Sequence, residues 1–195
     1  MALILNTVYF RLDSFVISFF HPFSDVGIYN VAYSVFQSAL VVPTFIMNAF
    51  FPLMIKALEQ EKKYFRQVFS RACLVMLVLS VLGTVLTLIL APIVITLITG
   101  EKGFSGSIIS LQILSLSFPA FFLSALGMWT LVTLKKYKTV LIIYSLGLLV
   151  NGLLNFLLVP QYSYLASSWV TIICEYLILI LQVIILGKEF YGSDR

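Results

Sequence analysis

The feature that most constrains this chain is a series of six long apolar runs parted by short polar segments. Each run is about 20 residues or more, the length an α-helix needs to cross roughly 30 Å of hydrocarbon. The runs are Ala2–Phe20, Val26–Met54, Ala72–Leu90, Ser107–Leu134, Thr139–Val159 and Tyr164–Leu186. The whole chain is 61% apolar and 10% charged, with a mean hydropathy of +1.08. A soluble domain carries about 25% charged residues, so too few are present here to cover a water-facing surface. The expectation is an all-α polytopic membrane bundle of about six spans, one unit covering residues 1–195.

Prolines punctuate the runs. Pro43 is expected to kink the second helix, Ala91–Pro92 to end the third, Pro119 to bend the long fourth and Pro160 to stop the fifth. The first run starts at Met1 with no basic segment ahead of it and no small-residue cleavage site. It therefore reads as a helix from the interior of a longer protein and not as a signal peptide.

Lysine and arginine set the orientation. With the amino terminus in the cytoplasm, the inner segments hold Lys56, Lys62, Lys63, Arg66, Arg71, Lys135, Lys136, Lys138, Lys188 and Arg195. The outer loops hold Lys102 alone, and Arg11 lies within a span. This asymmetry predicts both termini inside. Within Ile55–Arg71, Leu58, Phe65, Val68 and Phe69 alternate with Lys62, Lys63 and Arg66. That pattern suits a helix lying in the cytoplasmic interface among anionic lipids, or else an ordinary positively charged loop.

Several function classes drop out. The net charge of +4 sits in loop anchors, with no basic stripe interleaved with exposed aromatics, so no nucleic-acid partner is expected. Two cysteines, Cys73 and Cys174, and the single His21 make neither a disulfide framework nor a metal cluster. No nucleophile elbow or phosphate loop is present, so neither catalytic residues nor a cofactor are expected.

Polar groups at membrane depth remain as the candidates for function. Arg11 and Asp13 each cost about 2.5–3.5 kcal/mol at a helix centre, against about 0.3–0.6 regained per Leu, Ile, Phe or Val. The first helix is therefore marginal alone in lipid. Asn6, Tyr9 and Asp13 line one of its faces; Thr7, Arg11, Ser14 and Ser18 line nearly the opposite one. Such a helix belongs between a protein neighbour and a hydrated cavity, unless both charges serve only assembly. Glu175 lies deep in the last run, either paired with Arg11 or protonated and hydrogen-bonded. Gly147, Asn151 and Asn155 recur at four-residue spacing, and Ser110, Ser117 and Ser124 at seven. Both sets read first as close helix packing, with Asn155 the strongest exception. Gln37 and Asn48 are weaker candidates of the same kind.

The order of motifs has a resemblance. VYFRLDSFVISFF, DVGIYNVAYSVFQSALVVPTFIMNAFFPLM, LITGEKGFSGSIISLQIL and LGLLVNGLLNFLLVPQYSYLASSWVTIICE resemble the oligosaccharide flippases of the multidrug/oligosaccharidyl-lipid/polysaccharide exporter superfamily. Such proteins have twelve to fourteen helices in two six-helix lobes around a central cavity. The chain resembles the second lobe. The resemblance implies inversion of a lipid-linked oligosaccharide across the inner membrane, a second lobe or self-association, and Arg11 and Asp13 facing the cavity. Half of a multidrug or metabolite exporter, or a non-transporting remnant, are the alternatives. The chain departs from the family in its last outer turn. A glycine usually follows the tyrosine there, and a Gly-Ala-Ala run opens the next helix; here the run is Gln161-Tyr162-Ser163-Tyr164-Leu165-Ala166-Ser167.

Overall fold

In a bilayer the backbone must satisfy its own hydrogen bonds, which leaves helices or a closed barrel. The computed structural model describes residues 12–100 and 103–191, apart from the side chains of Lys62 and Tyr191, and the described residues are helical nearly throughout. The elements are α1 (residues 12–20), α2 (Phe23–Ala39), α3 (Val41–Gln60), α4 (Lys62–Thr99), α5 (Ser105–Ser115), α6 (Phe118–Thr133) and α7 (Tyr137–Tyr191).

Element α7 is two helices in one. Ser163 has φ 49° and ψ −137°, and the chain reverses there. Asn155 bonds to Ser167 across the reversal, and Gly147 lies against Ile178. The limbs before and after Ser163 are therefore antiparallel. Each limb is one crossing, as is each of α4, α2 with α3, and α5 with α6. Residues 12–20 form a further, shorter helix. Among the described residues, three helices qualify as spans by length and composition, or four when the bent α5–α6 pair counts as one.

The prolines behave differently from one another. Pro119 fulfils its expectation: α5 and α6 meet at a 47° bend. Near Pro43 the break falls three residues earlier, at Leu40, where a tightened turn bonds Leu40 N to Gln37 O at 3.1 Å. A proline lacks the N–H that would close the preceding turn and crowds the carbonyl four residues back, which here is Ala39. Pro92, by contrast, does not end its helix. Element α4 runs through it to Thr99 and stops at Gly100, whose φ of 67° is a left-handed cap. The carbonyl that Pro92 leaves without a donor, Leu88, instead accepts the Gln112 side-chain amide at 3.0 Å. The same substitution occurs at Pro119, where Thr84 Oγ1 donates to the Ser115 carbonyl at 3.0 Å. Pro160 likewise sits inside α7, and the limb ends three residues beyond it.

The charged stretch does not form a separate helix lying in the interface. Glu61 is extended at φ −151° and makes an elbow; from Lys62 the chain is already α4. Phe65, Val68, Ala72 and Met76 are all buried. This stripe at helical spacing draws the basic segment into line with the span.

The charged segments gather at one end. Arg66 donates to the Phe190 carbonyl, Phe65 and Phe69 pack on the Phe190 ring, and Lys136 pairs with Glu189. The other end carries the α1–α2 corner, the α4–α5 corner and the α7 turn. There His21 Nε2 donates to Val159 O at 2.8 Å, and Gly27 lies against Phe104. Between the ends, Phe36 stacks on Phe118 at 5.2 Å within a core of Met47, Met76, Leu111 and Leu114.

Candidate functional site

Asp13 is the centre of the polar interior. It is 2% exposed, and Tyr29 donates its hydroxyl to Oδ2 at 2.6 Å. Asn155 Nδ2 donates to Oδ1 at 2.8 Å, and Thr171 Oγ1 reaches Oδ2 at 3.3 Å. All three donors are neutral. Asn155 is itself held: its Oδ1 accepts Ser167 Oγ at 2.7 Å, and its amide reaches the Asn151 carbonyl and side-chain oxygens at 3.0 and 3.2 Å. The Thr171 hydroxyl shares its one proton between Asp13 and the Ser167 carbonyl, which lies 3.0 Å away.

The node is positioned by four helical segments. Element α1 brings Asp13, α2 brings Tyr29, the first limb of α7 brings Asn151 and Asn155, and the second brings Ser167 and Thr171. One residue beyond Asp13, Ser14 bonds Asn30 Oδ1 at 2.6 Å, which fixes α1 on α2 a second time. Burying a carboxylate at membrane depth is costly without partners. Here both its oxygens are occupied, by hydroxyl and amide donors from three other segments. A carboxyl group changes charge by gaining or losing one proton, with no bond broken in the chain. Such a change at Asp13 would be felt by every segment in the node.

The expected residues divide. Asp13, Asn151 and Asn155 come together. Glu175 is buried one turn beyond Thr171 on the same face of the second limb. Gln37 is exposed, two turns along α2 from Tyr29, and does not join the node. Arg11, and with it the expected Arg11–Glu175 pair, lies outside the described residues, as do Asn6, Thr7 and Tyr9. Gly147 serves packing, since a Cβ there would lie 2.8 Å from Ile178 Cδ1. Ser124 bonds its own helix at Phe121 O, and Ser117, at the bend, bonds Leu114 O of α5.

Sequence reasoning missed Tyr29, Ser167 and Thr171. The latter two were within reach, because Ser167, Thr171 and Glu175 recur every four residues on one helix face. Tyr29 gave no such signal, because a tyrosine beside Tyr33 on an apolar helix reads as ordinary packing.

Tightly packed apolar helices around a buried polar node, with basic segments collected at one end, describe a polytopic helical membrane bundle. A family model described as MatE matches residues 1–157. The chain belongs to the MatE family, whose members are membrane exporters and not enzymes. Comparison with curated proteins and with solved structures gives no match. The matched region includes α1 to α6 and most of the first limb of α7. Ser167 and Thr171 come from beyond it.

Proposed function

We propose that the chain is one lobe of an exporter that inverts lipid-linked oligosaccharides across the inner, or plasma, membrane, working against a second lobe of the same kind. The transport part rests on the buried node at Asp13, a costly polar centre that a purely structural bundle in lipid has no need to build. The substrate class rests on the four motif segments, which follow one another along almost the whole chain.

Such a substrate carries a pyrophosphate through a region of low dielectric. Arg11 is the one basic residue deep within an apolar run of the sequence, and a guanidinium keeps its charge and can grip phosphate oxygens in a bidentate way. In this reading Arg11 meets the headgroup while Asp13, two residues on, ties the helix to its neighbours. The test is flux through the two-lobe protein in vesicles, with a fluorescent lipid-linked sugar in one arm and a cationic drug in the other. Sugar flux that Arg11→Ala abolishes supports the reading. Drug flux alone assigns the lobe to a multidrug exporter. Sugar flux restored by combining Arg11→Ala with Glu175→Ala would make Arg11 a structural partner of Glu175.

A further inference from the structure

The end of the bundle away from the basic segments holds a backbone anomaly. Ser163, with φ 49° and ψ −137°, occupies the conformation of the first central residue of a type II′ turn. Glycine takes that position because a Cβ is crowded there. Lys135, the other described non-glycine with positive φ, has φ 58° and stands at a loop between helices. Ser163 stands inside a hairpin whose limbs must meet in register.

The contacts around Ser163 explain how the conformation is held. Its Oγ donates to Asp25 Oδ2 at 2.5 Å, the short end of the range for a hydroxyl on a carboxylate. Asp25 belongs to the first turn of α2, so the bond crosses from one corner of the bundle to another. His21 makes a second crossing to the Val159 carbonyl, and its Nδ1 lies 3.8 Å from Asp25 Oδ2. The two side chains at the centre of this clasp are not deeply buried: His21 is 22% exposed and Asp25 23%. Water at the membrane face can therefore replace either bond.

The clasp is close to the node. Asn155 is two helical turns before Ser163, and Ser167 is one turn after it. The bond between their side chains exists only while the limbs hold the register that the turn sets.

We propose that the Asp25–Ser163 bond is a releasable latch that holds the α7 turn in a glycine-like conformation and so keeps Asn155 and Ser167 closed on Asp13. When the bond is exchanged for water, the Ser163 backbone relaxes, the second limb shifts against the first, and the node loosens toward this face. Asp25 is a positioning residue in this scheme, acting through the turn and touching none of the node. The inference does not depend on which solute the exporter carries.

Amide hydrogen exchange on the protein in lipid nanodiscs tests it. Asp25→Ala is expected to speed exchange roughly tenfold in the turn and in the node segments around Asn155 and Thr171. Ser163→Ala, which keeps the Cβ and removes the hydroxyl, should do the same. Asp25→Asn retains an acceptor and should stay slow. Ser163→Gly needs no latch and should also stay slow, and adding Asp25→Ala to it should change nothing further. An equal rise from Asp25→Ala in the serine and glycine backgrounds would overturn the latch, as would no rise at all. A rise confined to the turn, with the node unchanged, would overturn its link to Asp13.

Discussion

Elements α4 and α7 have similar hydropathy and opposite places in the molecule. The most apolar window of α4 has a mean hydropathy of 2.8 and is 11% buried inside the protein; that of α7 has 2.4 and is 39% buried. In water the more apolar helix would be the more deeply buried. In a bilayer lipid tails solvate leucine as well as a protein core does, so apolar surface has no reason to turn inward. What turns inward is the polar seam: Asn151 and Asn155 on one limb of α7, Ser167, Thr171 and Glu175 on the other. Element α4 offers Leu86, Ile89, Ile93 and Leu97 to the lipid instead.

Substitutions should follow that contrast. The largest effect is expected in the seam. Asn155→Ala removes one donor to Asp13 and leaves Ser167 Oγ without its acceptor, each buried loss being worth about 1–3 kcal/mol. Melting in detergent should drop clearly, and a variant as stable as the parent would mean that the node does not hold the limbs. Gly147→Val comes next. Its Cβ would lie 2.8 Å from Ile178 Cδ1, and overpacking of this kind costs about 1–3 kcal/mol, with part of it relieved by the Ile178 side chain. Combining it with Ile178→Ala should recover much of the loss, and failure to recover would show that the limbs meet elsewhere.

A smaller effect is expected where α4 borrows a bond. Gln112→Leu leaves the Leu88 carbonyl without the donor that Pro92 cannot supply, at about 0.6–1.7 kcal/mol. In a Pro92→Ala background the helix supplies its own donor, so the cost of Gln112→Leu should vanish. The smallest effect belongs to Ile89→Ala. Ile89 is 65% exposed, and a lipid chain fills the space it leaves, so stability should move by less than about 0.5 kcal/mol. A loss of more than that would mean a protein neighbour covers α4.

Much of the architecture was legible because the bilayer imposes it. Run length gave the crossings, the lysines and arginines gave the shared end, and Pro119 gave the bend. Pro43 gave a break one turn ahead of itself, whereas Pro92 and Pro160 did not stop their helices where expected. Pro92 and Pro119 look alike in sequence, and each frees a carbonyl that a side chain from elsewhere reaches, yet α4 runs on through Pro92 while α5 and α6 bend at Pro119. Gln112 is twenty residues from Pro92, and Thr84 lies on a different helix from Pro119. Nothing local announces either. The interfacial helix failed likewise, because the stripe from Phe65 to Met76 runs on across the charged boundary. In the site, Asp13 and Asn155 stood out as polar groups in apolar runs. Tyr29 did not, since its hydroxyl matters only through a carboxylate on another helix.

The length of α4 has a consequence for the membrane itself. Its 38 residues extend about 57 Å. Even without the first turns, which carry Lys63, Arg66 and Arg71, the apolar part is roughly 40 Å long against about 30 Å of hydrocarbon. Transmembrane helices absorb such an excess by tilting, by about 20° on average and up to about 40°, or by thickening the bilayer around them. Element α4 lies near the upper end of that range in an average membrane. A thicker bilayer would let it stand more upright, and because Thr84 and Gln112 fasten it to the α5–α6 bend, a change in its slant would carry those two helices with it. Bilayer thickness is thereby expected to act on this bundle mechanically, separately from anything it binds.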